Sequence, residues 1–345
     1  MAKITLKEIA KRLHLSPSTI SKALNDSYEI SEETKRKVRE FAQRHNYQPN
    51  PLAKYLKLGK TNNIGVLLPN IQTSFSAQLL RYLHKSAIHN SYNFILMQSI
   101  DNEKDEERAL LTLTNQGVDG ILIAPVSETS NQQLLSDIHN NNCPVVIFDR
   151  IHYNLDTHKV GIDNVRSTYL ATEELIKINR KNIIAFCGKN IGVTQYRLEG
   201  YRKALEDYNI PIKEENIIYI DYRKSLTKID EGLKKIIIRH MRSNDPPNAI
   251  LGTTETLTTR VLGVLADLKI QVPKEIAVIG FSNIEFANSL NPALSTVHQP
   301  TEEMASTALR LLLDLINSKR DRSQIDFQTI LLETSIQLRK STMLT

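Results

Sequence analysis

Ten consecutive residues, Ser16 to Asn25, carry an unusual density of short side chains that can hydrogen-bond. They include Ser16, Ser18, Thr19, Ser21 and Asn25, with one cation, Lys22, and one rigid apolar residue, Pro17. Hydroxyls and amides of this kind match phosphate oxygens and base edges, and an ammonium matches guanine O6 and N7. A proline offers only apolar contact, as to a thymine methyl. Ser18 and Lys22 are therefore the expected base-edge contacts, and Ser16, Thr19, Ser21 and Asn25 the expected phosphate contacts. A second polar set is spread over the rest of the chain, each group just past an apolar run. It comprises Asn70 to Phe75, Pro125 to Ser127, Asp149-Arg150, Asp163-Asn164, Gly188 to Asn190, Asp221, Thr254-Glu255 and Ser282-Asn283.

The first set needs a helix to present it. Thr5 and Glu8 have the spacing of a capping box, and Ile9, Ala10 and Leu13 give the helix that follows one apolar face. Thr5, at its start, is counted with the residues expected at the DNA. After a tight turn at His14-Leu15, Ser16 can cap a second helix and Pro17 suits its first position. Ile20, Ala23 and Leu24 then face inward, and the polar set faces out. Ser31 caps a third helix, 32–45, with Val38, Phe41 and Ala42 inside. Two short helices joined by a short turn, with a third in support, read as a helix-turn-helix. The alternative is an undedicated three-helix bundle.

Charge favours the DNA reading. Residues 1–60 hold 13 Lys and Arg against 6 Asp and Glu, an excess of seven positive charges. The whole chain of 345 residues has an excess of six, so everything after residue 60 is close to neutral. The positive charge sits where phosphate neutralisation needs it.

Residues 50–60 read as a short connecting helix, with Asn50 and Pro51 opening it and Gly59 ending it. So few residues do not hold a helix alone, so it is expected to order only when docked. Leu52 and Leu56 share one face, flanked by Lys54 and Lys57. Leu56 could act as an apolar wedge in a minor groove while the two lysines hold phosphates. The plainer reading is an amphipathic linker.

Beyond residue 60, short apolar runs alternate with helical stretches. The expected strands are 64–69, 94–99, 120–125, 145–149, 182–188, 216–221, 249–254 and 276–282. Near-continuous apolar runs suit parallel strands buried on both faces. Eight of them exceed one compact sheet, so the fold class is an α helix-turn-helix head plus an α/β core of two doubly wound parallel-sheet lobes. Ligands of open parallel sheets bind beyond the strands' carboxyl ends, where the second polar set lies. Two lobes facing each other there would suit a small polyhydroxylated ligand, with Phe75 offering a ring face. Asp163 and Ser282 suit helix caps equally well.

Residues 4–70, with VDGILIAP (118–125), PVVIFDR (144–150), VGIDN (160–164), RLEGYRKAL (197–205), VPKEIAVIGFSN (272–283) and LSTVHQP (294–300), resemble the lactose/galactose repressor family of bacterial transcription factors. The resemblance covers essentially the whole chain. It implies a head at 1–49, a hinge at 50–60 and a periplasmic-binding-protein-like core at 61–345. One lobe would take about 62–162 and 292–322, the other about 163–291 and 323–340. It implies a homodimer on a pseudo-palindromic double-stranded DNA operator, with Leu56 as the intercalating leucine and Ala53 near the groove floor. It also implies an effector, a sugar first, between the lobes. The family's effector contacts from the loop after the first strand, the F-D-R aspartate and the R-x-E-G arginine survive as Phe75, Asp149 and Arg197. The family's Asn-Asp pair is Thr254-Glu255 here, and its two aspartates are Ser282 and Asn283. These changes keep a purine or a partner phosphoprotein open as co-regulator. The family's turn glycine is His14, which must then adopt a left-handed conformation.

Other classes find little support. The chain has no nucleophile elbow, phosphate-binding loop, dinucleotide fingerprint or Cys/His cluster, so neither an enzyme, a cofactor nor a metal is expected. There is no apolar run of membrane-spanning length and no signal-peptide pattern, which points to the cytoplasm and away from a transport receptor or a membrane partner. Cys143 and Cys187 read as buried structural thiols.

Overall fold

The computed structural model describes residues 4–47, 59–141, 143–189, 191–221 and 225–343, apart from the side chain of Ser323. The chain divides into two units, 1–61 and 62–345.

The first unit holds α1 (Leu6–Leu13), α2 (Pro17–Leu24) and α3 (Glu32–Arg44). The Thr5–Glu8 capping box forms in both directions, with Glu8 N–H donating to Thr5 Oγ1 at 3.3 Å and Thr5 N–H to Glu8 Oε2 at 2.7 Å. His14 ends α1 in the left-handed region, at φ 54°. Ser16 and Ser31 cap α2 and α3. Ile9, Ile20, Ala23 and Val38 are fully buried and form the centre of the bundle. Each large aliphatic side chain buried this way contributes about 1.5–3 kcal/mol. Lys35 is nearly buried as well, held by Asp26 at 3.1 Å and Glu32 at 2.8 Å.

The second unit has two six-stranded sheets. The first runs β11 (Thr329–Leu332), β5 (Lys159–Ile162), β4 (Val145–Phe148), β3 (Gly120–Ile123), β1 (Asn63–Leu68) and β2 (Asn93–Gln98), all parallel. The second runs β12 (Ser335–Gln337), β10 (Ser295–His298), β9 (Ala277–Phe281), β8 (Ala249–Gly252), β6 (Ile183–Gly188) and β7 (Ile217–Ile220), with only β12 antiparallel. Helices α4 (Ser74–His89), α5 (Glu103–Asn115) and α6 (Gln132–Asn140) belong to the first lobe. Helices α7 (Asn164–Lys177), α8 (Thr194–Asp207), α9 (Leu226–Met241) and α10 (Glu255–Asp267) belong to the second, and α11 (Thr301–Asn317) returns to the first.

The sheets depart from the expected lobe limits in two places. Residues 295–298 pair with β9 in the second lobe, although 292–322 were expected in the first. Residues 329–332 pair with β5 in the first lobe, although 323–340 were expected in the second. The chain therefore crosses between lobes three times, near residues 163, 299 and 333. A four-residue strand carries too little pattern to announce its sheet, because pairing is decided by neighbours distant in sequence. All eight expected strands are present, and β5, β10, β11 and β12 are added to them.

The close crossing of α7 and α8 depends on Gly200. A Cβ there would lie 2.1 Å from the Val165 carbonyl oxygen, so any side chain would push the helices apart. Arg197, one turn earlier on the same helix, is thereby brought against the start of α7. Cys187 is fully buried and Cys143 half-buried, both as free thiols, and burial pushes each thiol up to about 12.

Candidate functional site

In the head, α2 turns Ile20 and Ala23 inward and leaves Ser16, Pro17, Ser18 and Asn25 exposed, with Thr19, Ser21 and Lys22 half-exposed. Several of the expected contacts already have local partners. Ser16 Oγ accepts from Thr19 N–H at 3.0 Å and lies 2.9 Å from Thr19 Oγ1. Asn25 Nδ2 donates to the Ser21 carbonyl at 2.8 Å. Thr5 is engaged with Glu8. The ammonium of Lys22 is paired with Glu29, from the loop before α3. Sequence reasoning missed Glu29 because the pair is seven residues apart across a turn, a spacing without periodic meaning. Next to it Tyr28 is 94% exposed. Ala53, Lys54, Leu56 and Lys57 lie outside the described residues.

In the core, members of the second polar set, among them Ser74, Glu255 and Asn283, meet where the two lobes face each other. Asp149 follows β4 at φ 60°. Desolvation pushes its carboxyl above the usual range, against the lowering pull of Arg150 and of Arg197 from the other lobe. The charge of Arg197 is thus felt at Asp149 across the cleft. The neighbouring Arg150 is not Asp149's ion-pair partner. It pairs with Asp101 at 2.8 Å and donates to the carbonyls of Pro125 and Val126 at 3.1 and 2.9 Å.

Arg197 is 5% exposed. Its Nε donates to Asn164 Oδ1 at 2.8 Å, Nη1 to the Thr253 carbonyl, and the guanidinium carbon lies 3.6 Å from the centroid of the Phe281 ring. Cation and ring face hold each other.

Phe75 is half-buried on the first lobe's core. Thr254 is the N-cap of α10 and Asp163 that of α7. Ser282 is buried, and its hydroxyl accepts from Ile284 N–H at 3.3 Å. Glu255 accepts from the backbone N–H of Ser74, in the first lobe, and from that of Asn283 at 2.9 Å.

Gln78, Ser99, Glu128, His152, Tyr196 and Gln299 gave no signal in the sequence. Between the lobes, Gln78 Nε2 donates to the backbone carbonyl of Asn283 at 2.8 Å, and Asn283 Nδ2 donates to Gln78 Oε1 at 3.1 Å. On another edge Tyr196 donates to Glu128 at 2.7 Å and stacks on His152, with ring centroids 3.5 Å apart. Ser99 Oγ, Asn164 Nδ2 and Gln299 Oε1 are buried without a hydrogen-bond partner among the described residues. All three lie just beyond a strand's carboxyl end, and orphaned polar atoms there call for a ligand or water. A cavity of about 10 Å³ lies among Ser127, Glu128, Arg150, His152, Gly192 and Val193, and one of about 500 Å³ is lined by Ser74, Glu255 and Arg260 among others. Among the described residues no group of His, Cys, Asp and Glu could hold a metal, and no helix is long and apolar enough to cross a membrane.

Residues 5–50 match the family of bacterial regulatory proteins, lacI family, and residues 173–342 match the periplasmic binding protein-like domain. The HTH-type transcriptional repressor PurR of Photorhabdus laumondii subsp. laumondii is 31% identical over 342 residues, covering 98% of this chain and 96% of its own. The lac repressor dimer, solved bound to operator and the anti-inducer ONPF, shares the fold with a TM-score of 0.84 at 20% identity, over 99% of this chain and 100% of that one. A transcriptional regulator CelR–cellobiose complex matches with a TM-score of 0.68 at 23% identity, over 98% and 99%.

Proposed function

Because the chain belongs to the LacI family of bacterial regulatory proteins, and is a DNA-binding transcriptional repressor rather than an enzyme, we propose that it binds a pseudo-palindromic operator as a homodimer under the control of a small molecule held between its core lobes. One three-helix head spans only a few base pairs, so useful specificity needs two heads on two half-sites. Helix α2 enters the major groove, with Ser18 and Lys22 at base edges, Pro17 against a methyl, and Ser16, Thr19, Ser21, Asn25 and Thr5 near the backbone. Residues 50–60 connect head and core, with Leu56 as wedge, Ala53 near the groove floor and Lys54 and Lys57 on phosphates.

The observation that carries the effector reading is the set of hydrogen bonds that join the lobes beyond the strands' carboxyl ends, Ser74 to Glu255 and Gln78 to Asn283. Contacts of this kind depend on the distance between lobes, and a ligand bound among them biases the lobe angle. The ligand class is a sugar or sugar derivative. Asp149 offers an acceptor for hydroxyls, Phe75 an apolar face, and a regulator of this fold is solved with cellobiose. A purine or a partner phosphoprotein is the second reading. It is favoured by Ser282 and Asn283, which stand where the family's hydroxyl-binding aspartates stand and are engaged within the protein.

The test is capture of genomic fragments on the purified protein at about physiological salt, since affinity for DNA depends on salt. A recurring two-fold symmetric site supports the dimeric reader. A thermal-shift panel of sugars, sugar phosphates and purines then tests the cleft. A ligand that stabilises Asp149→Asn as much as the native chain does not bind at this site.

A further inference from the structure

We infer that Glu255 is a built-in latch that holds the effector cleft shut when no effector is bound, so that a ligand enters by displacing an internal carboxylate. The inference rests on the reading of the cleft as the effector site.

Glu255 is the first residue of α10 in the second lobe, and its two carboxylate oxygens face two different elements. One accepts the N–H of Ser74, the first residue of α4 in the first lobe. The other accepts the N–H of Asn283, just past β9 in its own lobe. First-turn N–H groups of a helix have no partner within the helix, and a carboxylate placed there gains from both the orphan donor and the helix dipole. Hydrogen bonds to an ionised acceptor are also the stronger kind.

The rest of the seam supports the same closure. Asn283, which Glu255 fixes through its N–H, is 1% exposed and is held on its other side by Gln299, in hydrogen bonds of 2.8 and 3.0 Å. Asn283 in turn bonds Gln78 on α4 twice, accepting at its carbonyl and donating from its side-chain amide. Arg81, on α4, faces Glu285 of the second lobe at 3.6 Å. The Tyr196–Glu128 bond and the Tyr196–His152 stack close a separate edge.

Between these contacts, the cavity of about 10 Å³ beside Arg150 is enough for about one water. Pockets for small ligands occupy roughly 300–1,000 Å³. A larger cavity, of about 500 Å³, is bounded by Ser74 and Glu255 themselves, with Thr256, Arg260 and Phe286. A sugar or a purine that passes from it into the space between the lobes takes Ser74 away from Glu255. The two backbone donors then face the incoming ligand. An effector that restores the closed form must bring an acceptor oxygen to Ser74 N–H, and one without it leaves the lobes apart.

Amide hydrogen exchange on the ligand-free full-length chain tests the latch without any effector. The amides of Ser74 and Asn283 are expected to be protected in the native protein. Glu255→Ala is expected to speed their exchange about tenfold or more, from the loss of two hydrogen bonds to a charged acceptor. It should also speed exchange around His152 and Tyr196, because the cleft opens as a whole. Glu255→Gln keeps one acceptor and should fall between the two. Unchanged protection of β1, β3, β6 and β8 in the same data separates opening from unfolding. Fast exchange at Ser74 and Asn283 in the native ligand-free chain overturns the inference. So does a Glu255→Ala protein in which only residues beside 74 and 283 respond. Should no ligand in the thermal-shift panel bind, the effector reading fails while these exchange results still decide whether the latch exists.

Discussion

Lys22 is the one cation on the outward face of α2, and it enters any encounter with DNA already paired. Its ammonium sits on Glu29, with both side chains close to half exposed. An exposed pair of this kind contributes at most about 1 kcal/mol, so the field of a phosphate backbone can take Lys22 from it. What remains is a carboxylate beside the binding face, which opposes every duplex regardless of sequence. Glu29→Gln is expected to tighten binding to an unrelated duplex several-fold and to steepen its salt dependence, while narrowing the gap between operator and non-operator DNA. Fluorescence anisotropy over a salt series measures both, and unchanged affinity for the unrelated duplex would place Glu29 away from the DNA. Arg197 shows the other side of single-residue reading. The resemblance implies an effector contact for it, whereas its contacts in the structure brace the second lobe through Asn164, Thr253 and Phe281.

At the scale of elements, the segment that leads from Phe327 into β11 is seated by two histidines. His139, on α6, and His158, just before β5, both present ring edges to Phe327, at centroid distances of 5.7 and 5.4 Å. Each accepts a backbone N–H at Nδ1, from Val145 and Gln328 respectively, at 3.0 Å. His139 is 2% exposed, and burial, aided by Arg322 and His158 and opposed weakly by Asp156, pushes it down to about 4. His158 is lowered too, for the same first reason. Between about pH 6.5 and pH 4 the unfolded chain binds a proton at His139 that the folded chain does not. Stability is therefore whole above pH 6.5 and is lost as pH falls towards 4, by on the order of 3 kcal/mol for His139. Urea midpoints of the core are expected to drop from pH 7.5 to pH 5, and less so in His139→Gln. Equal midpoints at the two pH values would mean that the folded core admits the proton freely.

At the scale of the whole molecule, reading DNA and sensing a ligand are assigned to separate units, and that separation can be tested. Arg197→Ala is expected to abolish the effector response and lower the core's melting temperature, leaving the head folded and able to bind nonspecific DNA. Calorimetry and operator binding with and without ligand check this. Loss of all DNA binding would mean that the head depends on an intact core. Leu56→Ala is expected to weaken specific operator binding and leave salt-dependent nonspecific binding mostly intact, because a wedge acts only where the groove is opened.

The sequence by itself determined the head and the class of the core. Caps at Thr5, Ser16 and Ser31, the apolar spacing of Ile9, Ile20 and Val38, and the concentration of positive charge before residue 60 are all local signals, and a three-helix unit is built from local contacts. The strands expected from apolar runs are there for the same reason: burial on both faces leaves a mark on consecutive residues. Only the tertiary structure decided which lobe takes β10 and β11, since a short strand's partner lies far along the chain. It likewise decided that Arg150 serves Asp101, that Lys22 meets Glu29, and that Glu255 reaches across to Ser74. A charged side chain's partner is set by what the fold brings within about 3 Å, and no spacing along the sequence encodes a neighbour 181 positions away.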